Sequence, residues 1–213
     1  MPNVEIIGPA PSTYTRAVRM VCEEKSIPYD LKQSPPHSTD VDAIHPFGKV
    51  PVMRHGDFEL CESKAIATYL DLAFPGKKLI PTEPRHAALT EQWVSLVNTK
   101  IDGTLVRTYL LNYVFPKGAD GSPDRKAIDA VVPAVTREID LLDSAIAKAG
   151  YLAGDSFTFA DINLMPILAY LKNFPESGSA IAAAKSLSAY FDRLSARPSF
   201  QNTAPPGSQA KAS

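Results

Sequence analysis

Only two cysteines, Cys22 and Cys61, occur in the 213 residues. So small a number makes no disulfide framework and fits a reducing compartment. There is no C-x-x-C pair, which argues against a dithiol oxidoreductase whatever the fold. An excess of one charge sign is also missing: 22 basic and 23 acidic residues leave a formal net charge of -1. That balance provides no field to gather nucleic acid or an anionic membrane, and leaves a small neutral or anionic ligand. Long apolar runs are absent too. The stretch from Ile162 to Leu171 is broken by Asn163 and Pro166 and falls short of a membrane-spanning helix. The opening Met1-Pro2-Asn3-Val4-Glu5 lacks a basic segment followed by an apolar one, so it does not read as a secretion signal. A cytoplasmic protein without a membrane anchor is expected.

What is present reads as an ordinary globular chain, with 45% hydrophobic and 21% charged residues, long enough for one large domain or two small ones. The first third alternates β-like runs with helical patterns, the signature of an α/β unit. Val4 to Ile7 opens as a strand, and Gly8-Pro9-Ala10-Pro11 is a turn. Thr13 to Lys25 carries Ala17, Val18, Val21 and Cys22 at helical spacing, which predicts a helix with Arg16, Arg19 and Glu23 to Lys25 outside. Ile27 to Leu31 reads as a second strand and Ser38 to Ile44 as a short helix. Val50 to Met53 and Phe58 to Cys61, flanking His55-Gly56-Asp57, predict an antiparallel hairpin, and Ser63 to Phe74 a closing helix. Beyond a linker near Leu79 to Pro84 the pattern is helical only. Long periodic segments run from Arg85 to Val114 and from Asp124 to Ala149, with Pro133 predicting a kink or a late start in the second. The expected fold class is therefore α/β plus all-α. The tail from Ala204 to Ser213 is expected to be disordered.

Three signals in the first domain carry chemistry. Val50-Pro51 joins a loop to an apolar strand; a cis bond there would expose the Val50 backbone to an extended peptide pairing like an added strand, and an edge-strand proline is the plainer alternative. Glu62-Ser63 stands where a strand gives way to a helix. Free backbone N–H groups at that helix start favour a carboxylate, and Glu62 suits an ammonium group, although the pair also reads as a simple helix cap. Ser12 lies at the mouth of the first helix, where a hydroxyl can donate to a thiolate or act as a plain N-cap. Lowering a thiol pKa from about 8.5 to about 6.5 takes roughly 2.7 kcal/mol. A hydrogen bond to a charged group supplies about 1.5 to 3 kcal/mol and a helix end about 0.3 to 1 more, so one serine suffices.

The motifs Gly8-Pro9-Ala10-Pro11-Ser12-Thr13, His45-Pro46-Phe47-Gly48-Lys49-Val50-Pro51-Val52 and Leu60-Cys61-Glu62-Ser63-Lys64-Ala65-Ile66 occur in the order and spacing of the glutathione-site motifs of cytosolic glutathione transferases, and the chain resembles that family over about residues 3 to 200. The serine-type classes, plant-like and bacterial, fit best. Tyr151 to Asp161 is similar to the family's capping-box segment, with Thr158 and Asp161 in the N-cap and N3 relation and Phe157 with Ile162 as the hydrophobic staple. The resemblance implies a thioredoxin-like N-terminal domain over 1–80 that binds glutathione. It also implies a helical-bundle C-terminal domain over 85–203 that forms the electrophile pocket.

Carried over residue by residue, the resemblance makes Ser12 the thiolate-stabilising hydroxyl, Val50 the backbone partner of the glutathione cysteine and Pro51 the cis proline. Glu62 and Ser63 hold the γ-glutamyl end, and Lys49, with His37 as a weaker candidate, meets the glycyl carboxylate. Tyr14 is the rival hydroxyl or a pocket residue. Tyr109 and Tyr113 are pocket candidates that read equally as core. Cys22, on an apolar helix face, and Cys61, at a strand end, are excluded from the catalytic role. Glutathione is then a co-substrate, no metal is needed, and a homodimer is implied. The function expected is addition of the glutathione thiolate to small hydrophobic electrophiles, or reduction of a hydroperoxide. A glutathione-dependent isomerase or dehalogenase, and a non-catalytic ligand carrier, are the alternatives.

Overall fold

Val4–Ile7, Tyr29–Lys32, Val52–His55 and Phe58–Cys61 form strands β1 to β4 of one mixed sheet in the order β2-β1-β3-β4. In this computed structural model, which describes residues 3–118 and 120–206, β1 pairs parallel with β2 and antiparallel with β3. A parallel neighbour requires a crossover, and helix α1 (Thr13–Glu24) supplies it. β3 and β4 form a hairpin across Gly56-Asp57, with Gly56 at φ 66° as a two-residue turn requires. The registers place Lys32, Ile7, Val52 and Cys61 in one row across the four strands. Three chain segments therefore meet at one end of the sheet: the loop leaving β1, the loop entering β3 and the exit from β4. They carry the three motifs.

The chain divides into two compact units: one takes the residues up to Ile80 together with the chain from Ser195 onward, and the other runs Pro81–Leu194. Helices α2 (Thr39–Asp42) and α3 (Ser63–Ala73) complete the α/β part of the first. Its core is Ile6 and Ile7, Val52 and Met53, Ile66 and Leu70, and the predicted apolar face of α1. The return of the C-terminal segment corrects the reading of α1. Arg16, Arg19 and Lys25 were expected outside; all three are buried. A short helix over Pro198–Asn202 packs on that face. Arg16 donates from Nη2 to the Phe200 carbonyl at 2.9 Å and lies 4.0 Å over its ring, and Arg19 donates to the Thr203 carbonyl at 3.2 Å. Arg197 returns the contact with two N–H groups to Glu24, at 2.8 and 2.5 Å. A 3.6-residue pattern in α1 contains no sign of this partner from the far end of the chain.

Lys25 is buried because Asp71 pairs with it at 3.1 Å; the carboxylate also accepts the N–H groups of Leu79 and Ile80, pinning the end of the unit onto α3.

The second unit is all-helical. Its first long helix is continuous but changes period: α4 (Pro84–Leu96) passes into a π-helical stretch, Val97–Leu110, and ends in the turn α5 (Leu111–Val114). Glu83 caps it, accepting from the N–H groups of Arg85 and His86, with Pro84 in the first turn. Helix α6 (Arg125–Ala149) begins at its Asp124 cap and runs through Pro133, so the late start does not occur. Helix α7 (Phe159–Leu171) is buried on nearly every side and forms the centre of this unit. Thr158 and Asp161 make the full capping box expected at its start. Helices α8 (Pro175–Ala183) and α9 (Lys185–Ser195) follow, and the Pro198–Asn202 helix is α10. Of the expected disordered tail, positions 207–213 lie outside the described residues. Among the described residues no helix is long and apolar enough to cross a membrane.

Candidate functional site

The end of the sheet marked by Ile7, Val52 and Cys61 carries Ser12, Val50 and Glu62. Ser12 is the N-cap of α1: its Oγ accepts the Thr15 N–H at 3.3 Å while its own N–H is held by the Pro9 carbonyl at 3.0 Å. Capping uses a lone pair of the hydroxyl oxygen and leaves the hydroxyl proton to be donated elsewhere. The two readings of Ser12 are therefore compatible. Gly8, at the exit of β1, is required by close approach. A Cβ there would meet Thr15 Oγ1 at 2.5 Å and Val50 Cβ at 3.3 Å, so the mouth of α1 and the loop before β3 are packed against each other.

The Val50–Pro51 bond is cis. Val50 lies two residues before β3, beyond the last registered pair, and its side chain packs on the cluster of Ile7, Val41 and Val52. With the side chain held inward, its backbone is at the rim of the sheet, where an extended peptide can pair with it. Lys49 beside it is exposed. His37 is brought to the same loop: its N–H donates to the Gly48 carbonyl at 2.9 Å, and its exposed ring stands over Gly48 and 3.5 Å from Asp42 Oδ1. Gly48 sits at φ 60° and has no room for a Cβ, which would be 2.1 Å from His37 Nδ1. Tyr14, two residues into α1, is half-buried.

Glu62 occupies φ 70°, ψ 114°, a conformation that costs a non-glycine residue energy and collects at ligand sites. As the residue before α3 it makes no side-chain cap, so the simple capping role is not the one it fills. Its carboxylate is 68% exposed and turns toward the buried ring of His45, with Oε1 3.4 Å from Nε2. Ser63 is buried at the first turn of α3, whose leading N–H groups point toward the same end. His45 is a member of the site that sequence reasoning did not single out. Its Nδ1 accepts the Phe47 N–H at 3.0 Å, the local turn an acceptor two residues upstream makes, and that spacing was the available signal. Cys22 is fully buried, and burial pushes its thiol up to about 12, so it supplies no thiolate.

Two family models match the chain: the glutathione S-transferase N-terminal domain over residues 8–78 and the glutathione S-transferase C-terminal domain over residues 88–198. The chain belongs to the glutathione S-transferase family. Among its relatives, glutathione S-transferase 3 of Zea mays is 30% identical over 83% of this chain and 80% of its own length. The crystal structure of poplar glutathione transferase F1 superposes with a TM-score of 0.84 at 25% identity, covering 95% of this chain and 97% of that one. A theta class glutathione S-transferase from Xanthomonas axonopodis pv. citri, with glutathione bound, gives a TM-score of 0.78 at 25% identity, covering 95% of this chain and 97% of that one.

In the helical unit of this glutathione S-transferase family member, one pocket expectation is corrected. Tyr109 is fully buried; its hydroxyl donates to Glu176 Oε2 at 2.9 Å and accepts the Ser177 N–H at 3.2 Å, so it is core. Tyr113 is half-buried, stacks 4.6 Å from Phe174, donates to the same carboxylate at 2.6 Å and accepts from Arg125 at 2.9 Å. Only its ring is left for an apolar ligand. Burial would raise the pKa of Glu176, but the hydrogen bonds from Tyr113 and Arg125 prevail and hold it at about 2. A carboxyl held below its ordinary value of 4.5 contributes stability above that value and loses it as pH falls toward 2. Thermal unfolding followed from pH 5 downward is therefore expected to fall more steeply in wild type than in Glu176→Gln, and parallel curves would contradict this.

Proposed function

We propose that this protein is a cytoplasmic, homodimeric glutathione transferase that ionises glutathione beside Ser12 and adds its thiolate to small hydrophobic electrophiles, a detoxifying conjugation. The observation that carries this reading is the single row Ile7, Val52 and Cys61, which sets the Ser12 hydroxyl, the Val50 backbone and the α3 N-terminus at one end of one sheet. In that arrangement the Val50 N–H and C=O hold the cysteinyl unit as an added strand and Pro51 shapes the loop. Glu62 meets the γ-glutamyl ammonium group, and Ser63 with the first N–H groups of α3 meets its carboxylate. Lys49 and His37 lie on the loop that would face the glycyl carboxylate.

The chemistry is short. The bound thiol releases its proton to solvent, and the Ser12 hydroxyl donates a hydrogen bond to the sulfur anion, aided by the positive end of α1. The thiolate attacks an electrophilic carbon, forming a carbon–sulfur bond as the leaving group departs with its electron pair. Within the helical unit, the Tyr113 ring is the apolar contact offered to the electrophile. The test is conversion of glutathione and chlorodinitrobenzene to the S-aryl conjugate with release of chloride. Saturable turnover, inhibited by an S-alkyl glutathione, is expected; saturable binding of glutathione without conjugate across a panel of aryl halides, epoxides and enones would overturn the transferase reading.

A further inference from the structure

Glu62 cannot be held by its own helix, since it makes no cap, and its carboxylate is mostly exposed. A free carboxylate on a solvated rim samples several rotamers, and binding an ammonium group then costs the entropy of fixing one. The Glu62 carboxylate turns toward the buried side chain of His45, 3% exposed. His45 is rooted at both ends of its loop: its N–H donates to the Val41 carbonyl at 2.7 Å, and its carbonyl accepts the Gly48 N–H at 3.0 Å. Its ring orientation is also set. The Phe47 N–H points at Nδ1, so Nδ1 is an acceptor and the ring hydrogen sits on Nε2, the atom 3.4 Å from Glu62 Oε1.

We propose that His45 is a positioning residue that holds the Glu62 carboxylate in the posture that receives the ammonium group of glutathione. The inference rests on the Glu62 role proposed above. His45 touches neither the ammonium group nor the sulfur; it acts through Glu62 and ties that residue to the Val50 loop, so that the γ-glutamyl and cysteinyl ends of one ligand are read at a fixed separation.

His45→Asn isolates the contact. The asparagine side-chain oxygen replaces Nδ1 as the acceptor for the Phe47 N–H and keeps the turn, while its amide stops short of Glu62. The measurement is steady-state conjugation with glutathione and, separately, with glutaryl-cysteinylglycine, which is glutathione without its ammonium group. His45→Asn is expected to raise KM for glutathione on the order of fivefold with kcat retained, to leave KM for the glutaryl analogue unchanged, and to add nothing in a Glu62→Gln background. Equal rises for both thiols would overturn the proposal and assign His45 to loop packing. An unchanged KM in His45→Asn beside a raised KM in Glu62→Gln would overturn the tether alone. An unchanged KM in Glu62→Gln would overturn the Glu62 role itself, and that of His45 with it.

Discussion

Asp161→Ala is expected to destabilise the helical unit by about 3 to 5 kcal/mol, enough to remove a large part of a typical domain's stability. The carboxylate is fully buried and accepts four hydrogen bonds: the Leu152 N–H at 2.9 Å, the Thr158 N–H at 2.8 Å, the Thr158 hydroxyl at 3.3 Å and the Tyr190 hydroxyl at 2.8 Å. Alanine leaves these donors without an acceptor inside the protein, and each buried orphan costs about 1 to 3 kcal/mol. The loss also removes the Asp161 half of the capping box and leaves α7, the helix around which the unit is built, with only the Thr158 cap. A fall in melting temperature of roughly 10 °C or more, or failure to accumulate as folded protein, is the expected result. Tyr190→Phe removes one donor and no acceptor, and should cost only about 1 kcal/mol. An Asp161→Ala protein as stable as Tyr190→Phe would show that the capping box does not organise this unit.

Ser12→Ala is expected to lower kcat/KM for conjugation on the order of 100-fold at neutral pH, the equivalent of losing a hydrogen bond to a charged sulfur. It also removes a helix cap, because the same oxygen accepts the Thr15 N–H, so a stability loss of about 1 kcal/mol should accompany it. The two effects separate in Ser12→Thr, which keeps both cap and hydroxyl and should recover most of the activity. Activity within a few-fold of wild type in Ser12→Ala would pass the chemical role to Tyr14, and Tyr14→Phe would then be the inactive variant.

Local signals were legible in the sequence, and distant ones were not. The alternation of strands and helices, a hairpin ending in Phe58–Cys61 and the Thr158–Asp161 box are written in neighbouring residues, and they form. The first hairpin strand, read as Val50 to Met53, is Val52–His55, two residues later, because the cis Val50–Pro51 bond belongs to the loop. Arg16 and Arg19 were misplaced because their partners, Phe200 and Thr203, lie at the far end of the chain. Tyr109 reads equally as pocket and as core because an aromatic near a helix end has the same local appearance in both; Glu176 and Ser177, which claim its hydroxyl and decide for core, are on another helix. The π-helical Val97–Leu110 stretch escaped for a related reason, since its residues fit an ordinary helical pattern locally. At the site the motifs pointed to Ser12, Val50 and Glu62 one at a time. The register that aligns Ile7, Val52 and Cys61 is what brings the segments carrying them to one edge.

The most direct test of the Ser12 mechanism is an ultraviolet titration of the thiolate band of bound glutathione, in wild type and in Ser12→Ala at matched saturation. The account predicts that wild type lowers the thiol pKa by about 2 units from its free value near 8.5 and that Ser12→Ala restores it. Tight binding with an unshifted titration in wild type, or a shift that survives in Ser12→Ala, would contradict it.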